Sequence, residues 1–265
     1  MSCCDSYLNT LRIYRLYGSY DALDGGFTEE AMEMLTGGLT EKFQLCDNKC
    51  PPNLADIMLK ANKHGSLMCC AIHNTSESLL PNGLVAGHAY SITGIRWVPL
   101  RGLFSKEKVL LLRIRNPWGN EVEWNGKWSD GSFEWHYTLE PFKQMVGFQK
   151  KEDGEFWIEF DDFKTNFSEV SITYLTINSP GAKFPYEVFR ARGKGLAVKS
   201  AKDGPKMLHE SPQYFITLVD PDENYDDNMC MCFVSLAQLG KIKHSDKFSL
   251  GFHIYKVDAN VALEW

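Results

Sequence analysis

Two side chains in this sequence could move a proton together. His88 stands in Gly87-His88-Ala89-Tyr90, and Asn116 follows the run Lys108-Val109-Leu110-Leu111-Leu112-Arg113-Ile114-Arg115. An imidazole exchanges a proton near neutral pH, and a side-chain amide can fix which ring nitrogen carries it. An imidazole held in this way can take the proton of a thiol and turn it into a nucleophile. A lone histidine in an apolar strand is otherwise a satisfied core or surface residue, so the question is what brings the amide to it. Leu110, Leu112 and Ile114 share one face by period-two alternation, which predicts a strand ending just before Asn116. A second strand begins at His88. If the two are neighbours, the ring and the amide meet at one end of a sheet.

A second constellation is acidic. Glu123, Asp130, Asp153 and Glu155 are hard oxygen ligands, and Gly126 and Gly154 permit tight loops beside them. Calcium takes six to eight oxygens, so several carboxylates and a carbonyl from two loops form a chemically sensible set. Spacing alone does not show such a site, because Asp-Gly-Glu is also a common turn.

Four ordered blocks carry a resemblance. They are Gly87-His88-Ala89-Tyr90-Ser91-Ile92-Thr93-Gly94, Arg113-Ile114-Arg115-Asn116-Pro117-Trp118-Gly119, Glu123-Trp124-Asn125-Gly126-Lys127-Trp128-Ser129-Asp130 and Glu152-Asp153-Gly154-Glu155-Phe156-Trp157. In order and spacing they resemble the calpain family, the calcium-dependent papain-like cysteine proteases. The resemblance covers most of residues 7 to 257 and is weakest between about 180 and 210. It implies an α+β fold: a papain-like second protease lobe, an antiparallel sheet with helices, followed by the start of an all-β sandwich. Residues 1–37 would be the helical end of a first protease lobe. Residues 38–178 would be the second lobe with the His and Asn, and 179–265 a linker and partial calpain-type sandwich.

The resemblance also implies roles. His88 is general base and acid, Asn116 orients it in a Cys-His-Asn arrangement, and Trp118 lines the cleft and wedges between the lobes when calcium is absent. Ca2+ would be held by Glu123, Asp130, Asp153 and Glu155, with a backbone carbonyl at Lys151. Asp21 stands where the family has an acidic ligand of a first-lobe calcium site, and a solvated turn is the other reading of it. The family's nucleophile lies in a Gln-Gly-x-x-Gly-Asp-Cys-Trp block ahead of the histidine, and these residues contain no such block. The chain is therefore expected to begin after it, and to be inactive alone.

The totals fit an intracellular enzyme part. The 265 residues are 44% hydrophobic, enough for a substantial core without metals or staples. A net charge of −6 argues against a broad nucleic-acid-binding surface. No apolar run approaches the roughly 18 residues of a membrane span, and the first residues do not form a secretory signal. With no such signal, the eight cysteines are expected to be free thiols in a reducing cytoplasm. Cys46 and Cys50 have no second pair at zinc-site spacing. Cys69 and Cys70 sit in Ser66–Ile72, an apolar run with nothing beside them to lower a thiol pKa, and read as small core residues.

In chain order, a helix is expected over 5–17, then a short one capped by Thr28 with Glu29 and Glu30 in its first turn and stopped at Gly37-Gly38. Asn53 is expected to cap a helix with Leu54, Ile57, Met58 and Ala61 on one face, ended by His64-Gly65. A buried strand follows over 67–72, then a polar, turn-rich stretch over 73–86, the His88 strand, and a loop over 96–107. Trp124, Trp128 and Trp135 read as aromatics covering a core edge. Strands are expected over 155–160 and 170–177, a linker at Asn178-Ser179-Pro180-Gly181, and a basic segment over 182–210. Further strands are expected over 214–219, 231–239 and 248–255, with an acidic loop at Asp220 to Asp227. The loop is either a solvated turn or a negative patch for calcium or basic residues. Three strands do not close a sandwich, so exposed edges would be an aggregation liability.

The function expected is a calcium-dependent cysteine endopeptidase making limited cuts in intracellular proteins. The alternative is a truncated, non-catalytic calcium-binding or regulatory module. Expected partners are protein substrates and another calpain chain or a small regulatory subunit, with no nucleic acid and at most peripheral membrane contact.

Overall fold

A computed structural model describes residues 26–46, 49–100, 107–175, 212–217, 232–236 and 251–256. The chain divides into two compact units, Met1–Phe189 and Arg190–Trp265.

The first unit is built on one antiparallel sheet. Its strands are β1 (Leu39–Gln44), β2 (Leu67–Ile72), β5 (His88–Pro99), β6 (Lys108–Arg115), β7 (Glu155–Glu159) and β8 (Glu169–Tyr174), in the order β1-β8-β2-β5-β6-β7. A small hairpin, β3 (Ser78–Leu79) with β4 (Val85–Ala86), stands apart from it. The helices are α1 (Thr28–Thr36), α2 (Leu54–Lys63), α3 (Glu140–Val146) and α4 (Phe160–Asn166), with a 3₁₀ turn at Phe133–Tyr137.

The central pair decides the geometry. β5 and β6 run antiparallel with Ser91 opposite Arg115 and Ile92 opposite Ile114, and the register shifts by one residue between Ile92 and Gly94. That bulge leaves Thr93 outside the ladder, and its hydroxyl donates to Glu155 Oε1 at 2.7 Å. β5 extends to Pro99, so the loop expected from residue 96 starts later, after four more ladder residues. β6 carries the expected Leu110, Leu112 and Ile114, but Val109 and Leu111 on its other face are buried too. The reason is a second core. Val98, Val109, Leu111, Trp128, Trp135, Val146 and Trp157 pack into one cluster. Trp128 and Trp135 therefore sit inside a second core over β5, β6 and β7, and Trp124 is buried outside that cluster. Trp128 and Trp135 meet edge to face at 5.0 Å, and Trp135 stacks on Phe148 at 3.9 Å.

The helix ends differ from the caps read in the sequence. Phe27, not Thr28, is the N-cap of α1, and neither Phe27 nor Asn53 makes a side-chain cap bond. Glu29 and Glu30 do lie in the first turn of α1, which ends at Gly37 with its amide donating to the Glu33 carbonyl. On α2, Leu54, Met58 and Ala61 are buried as their spacing requires, and Ile57 is half-buried at the margin of that face. Cys69 and Cys70 are buried in β2. Burial pushes the Cys69 thiol up to about 11 and that of Cys70 well above its ordinary value, as expected of core residues.

In the second unit, the described residues 212–217, 232–236 and 251–256 are not in strands, and Phe215, Phe252 and Ile254 are exposed. Among these described residues the expected alternation is not accompanied by ladder pairing, and the rest of the expected strands over 214–219, 231–239 and 248–255 lies outside the described residues. The helix expected over 5–17, Asp21, the linker at 178–181, the segment 182–210 and the acidic loop at 220–227 lie outside the described residues. Among the described residues no helix is long and apolar enough to cross a membrane.

Candidate active site

His88 opens β5 and Asn116 is the first residue beyond β6. Because the two strands pair, the two side chains meet. His88 Nε2 donates to Asn116 Oδ1 at 3.0 Å. The amide is locked from every side. Its Oδ1 also accepts from the Trp118 amide at 3.1 Å, its Nδ2 donates to the Val122 carbonyl at 3.2 Å, and the side chain is wholly buried. These bonds fix oxygen towards the imidazole, so the proton on that side belongs to Nε2. The backbone is held as well. The Asn116 amide donates to the Gly154 carbonyl at 2.7 Å. Gly154 has φ +81°, and a Cβ there would stand 3.0 Å from the Asn116 carbonyl oxygen, so glycine serves the close approach of the two loops.

The ring of His88 lies between two aromatics. Trp118 tilts over it at 4.6 Å and Tyr90 meets it edge-on at 5.1 Å. Trp118 is 46% exposed, which leaves one indole surface free on the solvent side of the histidine. Tyr90 is buried, and its hydroxyl accepts from the Val85 amide at 2.7 Å. Burial pushes the Tyr90 phenol up to about 12, so it acts as a neutral prop.

Sequence reasoning missed one contact. His88 Nδ1 is hydrogen-bonded to Glu77 Oε1 at 2.8 Å. Glu77 lies in the polar stretch 73–86, where no periodicity marks one acid above its neighbours.

The acidic set converges only in part. Asp130, Lys151, Asp153 and Glu155 line one cleft together with Arg113, Gln149 and Trp157. Asp130 Oδ2 accepts from the Lys151 amide at 2.8 Å, and Asp153 Oδ1 from the Glu155 amide at 3.1 Å. Glu123 Oε1 accepts from the Gly154 amide at 2.7 Å. Burial, reinforced by Asp130 and Asp153, pushes the Glu123 carboxyl up to about 6. Burial, with Asp153 adding to it, raises Asp130 as well. Glu155 departs from the expected set, because its carboxylate is taken by the Arg113 guanidinium and the Thr93 hydroxyl. Among the described residues, no three Asp, Glu, His or Cys side chains stand where they could share one ion. Backbone amides and one guanidinium hold these acids instead. Their oxygens are nevertheless of the type calcium takes, and the mutual repulsion of Glu123, Asp130 and Asp153 is what a cation would relieve.

An antiparallel sheet that sets a buried Asn against a His under a tryptophan is that of a papain-like protease lobe. Comparison with known proteins narrows the class. The family model described as calpain family cysteine protease matches residues 12–174, and that of calpain large subunit, domain III matches residues 201–264. The chain is 37% identical over 257 residues to Calpain-B of Drosophila melanogaster, covering 91% of this chain and 28% of that protein. It is 38% identical over 258 residues to the Calpain-2 catalytic subunit of Gallus gallus, covering 92% and 36%. To Calpain clp-4 of Caenorhabditis elegans it is 48% identical over 165 residues, covering 61% and 22%. The chain belongs to the calpain family of cysteine proteases. It spans about a third of the length of these relatives or less.

Proposed function

We propose that this chain is the His-Asn half of a calcium-dependent cysteine endopeptidase that makes limited cuts in intracellular proteins. The observation that carries the proposal is the 3.0 Å bond between His88 Nε2 and the locked Asn116 Oδ1. With its Nε2 proton pinned, the imidazole has Nδ1 as the nitrogen that exchanges protons. It takes the proton of a cysteine thiol there as the sulfur attacks a peptide carbonyl, and returns it to the departing amine. Asn116 keeps the ring in that orientation, and Trp118 covers the His-Asn bond from water. The thiol is not supplied by Cys69 or Cys70, whose burial favours the protonated form.

Ca2+ would be held by Glu123, Asp130, Asp153 and the Lys151 carbonyl, with Glu155 joining if Arg113 releases it. The ion would supply positive charge that lets these acids sit together. The two loops concerned, 119–130 and 150–155, are the loops that grip Asn116 through Val122 and Gly154, so their order bears directly on the His-Asn pair.

The test is hydrolysis of a fluorogenic peptide by the purified 265-residue chain with and without calcium. The expected outcome is no turnover in either condition, because no Gln-Gly-x-x-Gly-Asp-Cys-Trp block is present. Turnover that Asn116→Ala and His88→Ala both abolish would overturn the half-site assignment, since the chain would then hold its own nucleophile. A second reading, supported by the absence of a Gln-Gly-x-x-Gly-Asp-Cys-Trp block from these 265 residues, is a non-catalytic calcium-binding module, which shares the calcium prediction and lacks the protease role.

A further inference from the structure

The Glu77 contact is not accounted for by the proton transfer just described. We infer that Glu77 is a self-inhibitory cap on His88: its carboxylate occupies Nδ1, the place a cysteine thiol must take, and has to leave before the histidine can act. The inference rests on the assignment of His88 as the proton acceptor.

Asn116 Oδ1 must accept from Nε2, because Asn116 Nδ2 is committed to the Val122 carbonyl. Glu77 Oε1 stands 2.8 Å from Nδ1. That distance requires a proton between them, carried either by the ring or by the carboxyl. In both cases the Nδ1 lone pair is engaged and cannot receive a thiol's proton.

Geometry shows that the cap is held in place. Glu77 immediately precedes β3, whose Ser78 pairs with Ala86 of β4, and His88 follows two residues after Ala86. The hairpin register thus brings Glu77 back beside the start of β5. Gly87, φ +72°, lets the two segments touch, since a Cβ there would lie 2.6 Å from the Ser76 carbonyl oxygen. The far end of the hairpin is tied to the loop after Asn116 and to the end of α4. The Asn125 amide donates to the Asn82 carbonyl at 3.0 Å, Asn125 Nδ2 to the Pro81 carbonyl at 3.0 Å, and Asn82 Nδ2 to Asn166 Oδ1 at 2.8 Å. These anchors are separate from the Glu77 end, where the carboxylate side chain is 53% exposed while that of His88 is 9% exposed. The tip of the side chain can therefore swing into water by rotation about its own bonds, with the hairpin unmoved.

The charge balance of the exchange closes. When Glu77 swings out, the proton it shared with Nδ1 is released to water, leaving a neutral ring; the thiol then passes its own proton to Nδ1, and the resulting thiolate pairs with the imidazolium. One anion succeeds another at the same nitrogen, and the freed carboxylate is hydrated.

Diethyl pyrocarbonate, which acylates an imidazole nitrogen with a free lone pair, reports the cap directly. The rate at His88 is read by peptide mass spectrometry in the intact chain, in Glu77→Gln and in Glu77→Ala, all at one pH. His73, whose Nε2 lies 2.9 Å from Glu169 Oε2, is the internal control. The expected result is a several-fold faster reaction at His88 in Glu77→Ala, with His73 unchanged. Glu77→Gln, whose neutral amide can hold a ring proton only weakly, should fall between. An unchanged His88 rate in both variants would overturn the cap. So would equal acceleration at His73 and His88, which would mean that the variants merely loosen the fold. Neither outcome touches the peptide-hydrolysis test of the half-site, so the two assignments fail separately.

Discussion

At the scale of single residues, the site turns on how few groups hold so much. One amide, Asn116, serves the imidazole, the Trp118 amide and the Val122 carbonyl, and is wholly buried. A buried polar side chain satisfied on every side specifies one conformation, because any rotation leaves a group unpaired. Glu123 shows the opposite case. Burial, opposed by the Gly154 amide and aided by Asp130 and Asp153, raises its carboxyl from 4.5 to about 6. The folded chain thus binds this proton more tightly than the unfolded chain does. The associated stability is fully present below the unfolded value and is lost as pH rises through about 6. Asp130 is raised and works in the same direction. In calcium-free buffer the urea midpoint of the chain should fall between about pH 4.5 and pH 6, and Glu123→Gln should flatten part of that slope. An identical slope in the variant would show that Glu123 is ordinary.

At the scale of elements, the His-Asn pair is a product of strand register. The bulge between Ile92 and Gly94 is the only shift in the β5–β6 ladder, and it lies beyond the pairs Ser91–Arg115 and Ile92–Ile114 that set the active end. β6 is pinned by burial on both faces, with Leu111, Leu112 and Ile114 fully inside. Leu112→Ala should therefore cost about 2–5 kcal/mol, measured by urea unfolding, because the closely packed site cannot collapse around the void. Leu79→Ala, at a residue 68% exposed in the small hairpin, should stay within about 0.5 kcal/mol. A Leu112→Ala loss as small as that of Leu79→Ala would mean β6 is not the anchor. The same strand shows what was legible in the sequence. The alternation of Leu110, Leu112 and Ile114 gave the strand and its end, and hence the site. It did not reveal that Val109 and Leu111 face a second core, because that core comes from tryptophans 17 or more positions later in the chain. Glu77 was illegible for a related reason: only the hairpin register and Gly87 select it among the polar residues of 73–86.

At the scale of the whole molecule, the question is whether the acidic loops bind an ion or are merely acidic. The net charge of −6 means that any salt stabilises the chain somewhat by screening self-repulsion. A specific site behaves differently. It saturates, and it contributes about 2.7 kcal/mol when the ion is at a hundred times its Kd, provided the unfolded chain does not bind. The resemblance in the sequence named five ligating positions; the structure lines one cleft with four of them, Asp130, Lys151, Asp153 and Glu155, of which Glu155 pairs with Arg113, while Glu123 is not in that lining. Sequence motifs carry residue type and order, but the competition of a guanidinium for one carboxylate is decided across strands and is invisible in either phrase alone. Calcium should raise the thermal midpoint of the chain to a plateau, beyond the effect of sodium chloride at equal ionic strength. Magnesium should do less, because it demands a tighter octahedron that loops held by backbone amides do not offer. Asp153→Ala should abolish the plateau while leaving the sodium effect. It removes a carboxylate from the cleft, and with it the acceptor of one backbone bond, from Glu155. Arg113→Gln, which frees Glu155, should leave the plateau or lower the calcium concentration that reaches it. A calcium effect no larger than that of sodium, or one undiminished in Asp153→Ala, would remove the ion from these loops and leave the His-Asn pair standing without it.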